Sequence, residues 1–234
     1  MTNQSTAGHR WAAVFPVATV TLLLTAQALM PSGLDQPIRS LATARSELSA
    51  AASQAGRLSL CTTLFSVGLG CLGASFPAIG TLCARTRGAP LATVASWVAA
   101  LACLSGVVVN SLINLNVAGA VRANASQDAA AQVLLADNTA LTPTAALVVY
   151  IGGLVLASVL LGAALWRARS IPRWLSALFS PSLILAAASP PGPAGVLLAV
   201  PFAVVMIMLA VRVAAGQPAV HDDGVHNHVV PSPA

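Results

Sequence analysis

Six uninterrupted apolar stretches, at residues 11–30, 59–82, 90–112, 145–166, 173–189 and 195–214, constrain this chain more than any other feature. No Asp, Glu, His or Lys lies inside one, and arginines touch only their edges. A helix rises about 1.5 Å per residue, so about twenty residues cross a hydrocarbon core of roughly 30 Å. In lipid the backbone must satisfy its own hydrogen bonds, and continuous runs of this length exclude barrel strands, whose apolar residues would alternate. The expected fold class is therefore all-α: a polytopic transmembrane helical bundle of about six spans.

The charged residues gather where a bilayer would leave them. Hydrophobic residues make up 57% of the chain and charged residues only 7%, against ~25% charged in a soluble protein. An arginine or aspartate at the centre of a spanning helix costs about 2.5–3.5 kcal/mol on insertion scales, which is the physical reason for the segregation. All 11 basic residues are arginine. They stand singly or in short pairs beside apolar runs, without aromatic interleaving, so they read as topology anchors and no nucleic-acid partner is expected. Alternation of six spans collects Arg10, Arg85, Arg87, Arg167, Arg169, Arg173 and Arg212 on one side. Arg39, Arg45, Arg57 and Arg122 fall on the other, among Asp35, Glu47, Asp128 and Asp137. The first side is then cytoplasmic, both termini lie inside, and a bacterial plasma (inner) membrane is the expected location. Trp11, Trp166 and Trp174 sit at span ends as interfacial anchors, whereas Trp97 falls inside the third span.

The 234 residues suffice for one compact bundle. One transmembrane domain over 11–214 is expected, with a disordered N-terminus at 1–10 and a disordered cytoplasmic tail at 215–234. Two alternatives stay open. Arg10 before an apolar run and Ala26-Gln27-Ala28 resemble a cleavable signal peptide. The fifth run is short, holds Pro181 and ends in Ser189-Pro190-Pro191-Gly192-Pro193, so it is either a span or a re-entrant segment that would put the C-terminus outside. The two long outer loops, at 31–58 and 113–144, carry helical periodicity: Ile38, Leu41, Arg45, Leu48 and Ala52 in the first, Ser126 to Leu135 in the second. Each is a connecting helix or a small cap. Cys61, Cys71, Cys83 and Cys103 lie in or at the inner edge of apolar runs, which suits small packing residues and gives no disulfide framework.

Chemistry-bearing residues are scarce. The polar constellation nearest the membrane is Asn110, Ser111 and Asn114, with Asn116 following; Asn110 and Asn114 are four apart and share a helix face. They either line a small polar cavity opening outward or bond to neighbouring helices, and Thr62, Thr63 and Ser66 of the second span are the expected partners. Small residues mark packing faces, Ser66, Gly70, Gly73 and Ala74 in the second span and Gly153, Ala157, Ser158 and Gly162 in the fourth. Pro16, Pro77, Pro181 and Pro201 should bend their spans. The spans offer no ionisable relay for protons, no histidine for haem and no His–carboxylate metal cluster, and without lysine there is no Walker loop. His9, His221, His226 and His228 lie near the termini; Asp222 and Asp223 join the last three, and a fortuitous cluster in a solvated tail is expected over a metal clamp. No catalytic residue, cofactor or metal is expected.

The basic turn Trp166-Arg167-Ala168-Arg169-Ser170-Ile171-Pro172-Arg173-Trp174, with the all-arginine, alanine-rich composition, resembles uncharacterised six-span bacterial membrane proteins of GC-rich genomes. That resemblance implies a six-helix bundle and carries no activity or functional residue. The turn explains itself physically: arginines hold it inside, Pro172 opens the next helix and tryptophans anchor both ends. Expected partners are the lipid bilayer and a membrane protein or a second copy. A non-enzymatic accessory or scaffold protein acting through helix packing and outer loops is the first expectation, and a small transporter or channel for a neutral or apolar solute is the second.

Overall fold

The computed structural model describes residues 11–30, 40–122, 126–139, 141–190 and 192–215, and it is all-helical, with no strand among them. Its helices are α1 (Val14–Leu29), α2 (Leu41–Ser53), α3 (Ala55–Gly80), continued by a 3-10 turn Thr81–Cys83, α4 (Ala89–Arg122), α5 (Gln127–Thr139), α6 (Leu141–Ala168), α7 (Arg173–Ala187) and α8 (Pro193–Ala215). Among the described residues, four stretches are long and apolar enough to cross a membrane: Ala55–Cys83, Ala89–Ser111, Thr144–Ala168 and Ala194–Ala215. α1 and α7 are apolar but have 16 and 15 residues, about 24 and 22 Å of helix rise. Of the segments expected to be disordered, 1–10 and 215–234, Ala215 is the last residue of α8 and the rest lie outside the described residues.

Helices α1, α3, α4, α6, α7 and α8 form a closed ring, each packed on the two beside it and α8 returning to α1. Neighbours run antiparallel. Along the α1–α3 seam Thr19 faces Ser75 (Oγ1–Oγ 3.1 Å), Gly68 lies under Leu23, the Cys61 thiol points at the Ala26 carbonyl (3.0 Å) and Arg57 Nε donates to the Leu29 carbonyl (2.7 Å). One end of every seam therefore gathers Arg57, Met30 and Ser189, and the other gathers Arg85, Arg87, Arg167 and Arg212.

Close helix approach is built from small residues, because in lipid helices associate through van der Waals contact and gain little from hydrophobic transfer. At α4–α6 the contact is reciprocal: a Cβ on Gly153 would come within 2.8 Å of the Ala102 Cβ, and one on Gly106 within 2.6 Å of the Tyr150 ring. At α6–α7, Gly162 admits Ser180, whose hydroxyl donates to the Ser158 carbonyl at 2.8 Å. In α3, Gly73 packs on Cys103 but Gly70 faces open space, and the tightest glycine is Gly68, which sequence periodicity did not single out.

The outward surface is apolar almost everywhere. Leu101 and Leu104 of α4, Val148 and Leu156 of α6, and Leu197 and Val211 of α8 are all exposed. A water-soluble monomer rarely carries contiguous apolar surface of this extent, so the medium around the ring is lipid. Trp97, 71% exposed, belongs to this surface, which is why it departs from the interfacial pattern of the other tryptophans. At the arginine-rich end the Arg173 guanidinium lies 5.7 Å from the Trp166 ring centroid, stitching the start of α7 to the end of α6.

The two long loops form a cap. Ser40 starts α2 with a reciprocal capping box, its hydroxyl accepting from the Thr43 amide at 3.2 Å while the Thr43 hydroxyl accepts from the Ser40 amide at 3.0 Å. The helix direction breaks at Gln54 before α3 begins. α2 then packs on α5, burying Ala44, Leu48, Ala51, Ala130 and Ala131 with Leu58 in an apolar cluster of its own, bridged on the surface by Arg45 and Asp128 at 2.8 Å. That exposed ion pair adds little stability, so the cluster holds the cap. Ala131→Glu is expected to detach α2 from α5 while leaving the ring folded: protease sites in the cap open in limited proteolysis, and the detergent-resistant helical content is unchanged.

Candidate functional site

The ring is not filled evenly. In its arginine-rich half the interior is solid, with Phe76, Ile79, Leu161, Phe179, Met206 and Leu209 all at 1% exposure or less. Phe76 and Phe179 meet edge to face, ring centroids 5.9 Å apart and planes at 70°. One turn nearer the cap the side chains draw apart, and a partly open chamber of about 400 Å³ remains at the centre. Every helix of the ring lines it: α1 with Leu23, Gln27 and Met30, α3 with Cys61, Thr62, Phe65 and Leu69, α4 with Asn110, α6 with Tyr150 and Leu154, α7 with Leu183 and Ala186, and α8 with Ala199 and Phe202. The volume falls within the range of small-molecule pockets.

The walls are mostly aliphatic, and no Asp, Glu, His, Lys or Arg is among them. The polar groups that do reach the chamber are largely committed to one another. Asn110 Nδ2 donates to the Thr62 carbonyl (3.2 Å) and to Ser66 Oγ (3.0 Å), so its amide joins α4 to α3. Gln27 Nε2 donates to Ser189 Oγ (2.6 Å) and to the Pro190 carbonyl (3.1 Å), while the Gln27 main-chain carbonyl accepts from the Gly192 amide (3.2 Å). The Thr62 hydroxyl is turned to the Leu58 carbonyl at 2.8 Å. Gly192 takes φ +93°, a left-handed conformation that suits glycine, and a Cβ on Gly195 would strike the Pro190 carbonyl oxygen and Gln27, so this clasp between α1 and the α7–α8 link depends on both glycines.

Of the residues the sequence singled out, Asn110 lines the chamber and bonds to the hydroxyl of Ser66, one of the three expected partners, and to the main-chain carbonyl of Thr62, whose hydroxyl turns to Leu58 instead. Ser111, next along the chain, is half-buried and does not line it; the side chains of Asn114 and Asn116 lie outside the described residues. Pro77 and Pro201 face outward and do not line it either. Gln27, Tyr150 and Ser189 escaped sequence reasoning. The one weak signal was rarity: Gln27 is the lone side-chain amide in its apolar run, and Tyr150 is the chain's single tyrosine.

No protein-family model, no curated protein and no solved structure matches the chain.

Proposed function

We propose that the protein is a six-span plasma-membrane protein with both termini in the cytoplasm, which binds a small, neutral, largely apolar solute in the half of its ring nearest the cap and catalyses no reaction. One observation carries this: a chamber of about 400 Å³, bordered by all six ring helices and lined by no Asp, Glu, His, Lys or Arg. An unpaired charge in such walls would meet a large desolvation cost, which turns ions away, while an apolar body meets none. The packed phenylalanine floor argues for a receptor or carrier over an open channel. The six-span count is supported by the antiparallel seams, in which α1 and α7 each pack on two ring neighbours, as the longer spans do, despite their length. It also agrees with the resemblance of the Trp166–Trp174 turn to uncharacterised six-span bacterial proteins.

The test is saturable binding of the bicyclic hydrocarbon tetralin to the protein in lipid nanodiscs, measured as uptake above that of empty nanodiscs. One site per chain is expected, and Ala199→Phe, which projects a ring into the chamber, should abolish it. Uptake that is non-saturable, or equal in the variant, removes the proposal.

Orientation has its own test. Ala84 is exposed in the turn at the arginine-rich end, and Ser126 is exposed beside the cap. A membrane-impermeant thiol reagent added outside whole cells should label Ser126→Cys and leave Ala84→Cys unmodified until the membrane is opened; the reverse pattern inverts the topology. A second reading, an accessory or scaffold subunit, is favoured by the α2–α5 cluster, a compact cap at one end of the ring. It calls for Ala131→Glu to release a co-purifying membrane partner while tetralin binding persists.

A further inference from the structure

Resting on the chamber-binding reading above, we infer that the ligand carries a single hydrogen-bond acceptor, a ketone-type carbonyl on an apolar body, which takes its hydrogen bond from the Tyr150 hydroxyl. The side-chain donors around the chamber can be counted one by one. Both amide hydrogens of Asn110 are used, on Thr62 and Ser66. Both of Gln27 are used, on Ser189 and Pro190. The hydroxyls of Thr62 and Ser189 donate to the carbonyls of Leu58 and Ala186, and the Cys61 thiol points to the Ala26 carbonyl. Among the described residues, the Tyr150 hydroxyl is the chamber donor left without a partner.

The position of Tyr150 is fixed independently of any ligand. Its ring edge lies against Gly106, so close that a Cβ there would come within 2.6 Å, and the contact belongs to the tight α4–α6 seam. A tyrosine held by its ring in an apolar wall, with its hydroxyl unspent, presents a preorganised donor. Tyrosine hydroxyls in such surroundings normally find an acceptor, since a polar group removed from water without one costs free energy. One donor fits one acceptor. Sugars and other polyols would bring many hydroxyls to walls that cannot answer them, and carboxylates or ammonium groups would lack a counter-charge. A neutral ketone satisfies both conditions.

The experiment compares tetralone with tetralin, which share a bicyclic skeleton and differ by one carbonyl, on nanodisc-embedded wild type, Tyr150→Phe and Ala199→Phe. Tetralone is expected to bind wild type about threefold to tenfold more tightly than tetralin, the worth of one neutral hydrogen bond. Tyr150→Phe keeps the ring against Gly106 and should erase that preference while still taking up tetralin saturably, which also shows that the variant is folded. Ala199→Phe should abolish binding of both. Equal affinity of the two probes for wild type, or a tetralone preference that survives in Tyr150→Phe, overturns the assignment to Tyr150 and leaves chamber binding standing. Absence of saturable binding of either probe to wild type overturns the chamber-binding reading and this inference with it.

Discussion

Gly153→Leu will destabilise the ring by about 3 kcal/mol, at the upper end of what overpacking a well-filled interior costs, whereas Gly152→Leu one residue away will change stability by less than about 0.5 kcal/mol. Sequence spacing set Gly153 on the small-residue face of its span and left Gly152 off it. In the structure, a Cβ on Gly153 meets the Ala102 Cβ at 2.8 Å, with Ala102 Cα and the Val98 carbonyl behind it, while one on Gly152 meets nothing within 4 Å. The obstacle at Gly153 is a Cβ fixed to the α4 backbone, so no rotamer change relieves it and the helices must separate. Separation would also disturb the Tyr150–Gly106 contact on the same seam. Unfolding midpoints in mixed micelles of mild and denaturing detergent would measure both variants, and equal midpoints would refute the packing described for α4–α6.

Phe179→Ala will cost about 3 kcal/mol, the lower end of the range for truncating a buried phenylalanine, and will deepen the chamber. Phe179 is 1% exposed and its ring meets Phe76 in the plug beneath the chamber. Removing it leaves Phe76 without its edge-to-face partner and opens space one turn inward of Leu183, which lines the chamber. Leu178→Ala provides the contrast: Leu178 is 48% exposed toward lipid, and the same unfolding assay should find it within about 0.5 kcal/mol of wild type. The chamber effect is read separately, as saturable uptake of a hydrocarbon one ring longer than tetralin by Phe179→Ala and not by wild type. A variant that unfolds like Leu178→Ala and excludes the longer probe would mean that no plug exists.

Local order was legible where local rules govern it. The periodicity of Leu41, Arg45 and Leu48 called for a helix that the structure provides as α2, and the Ser126–Leu135 stretch belongs with α5. What could not be read was that these two helices pack on each other, since Ala44 and Ala131 are small residues in alanine-rich segments with no distinguishing signal. The polar contact of Asn110 with Ser66 was within reach because an amide in a spanning helix must find a partner, and Ser66 is a hydroxyl residue at matching depth in the neighbouring span; that the second bond goes to the Thr62 main-chain carbonyl was not legible. The Gln27–Ser189 bond joins residues 162 apart in the chain, across the seam that closes the ring. Nothing in either segment announces the other.

Taken alone, the sequence determined the solvent and the secondary structure: long apolar runs with every ionised side chain at or beyond their margins must be helices in lipid, because hydrocarbon tolerates neither bare backbone polar groups nor unpaired charge. Only the tertiary structure decided which small residues become contacts, why Gly68 is tight and Gly70 faces open space, and that the ring leaves one half hollow. Lipid and helix interior are equally apolar, so hydropathy carries no record of which face turns inward, and that choice falls to shape alone.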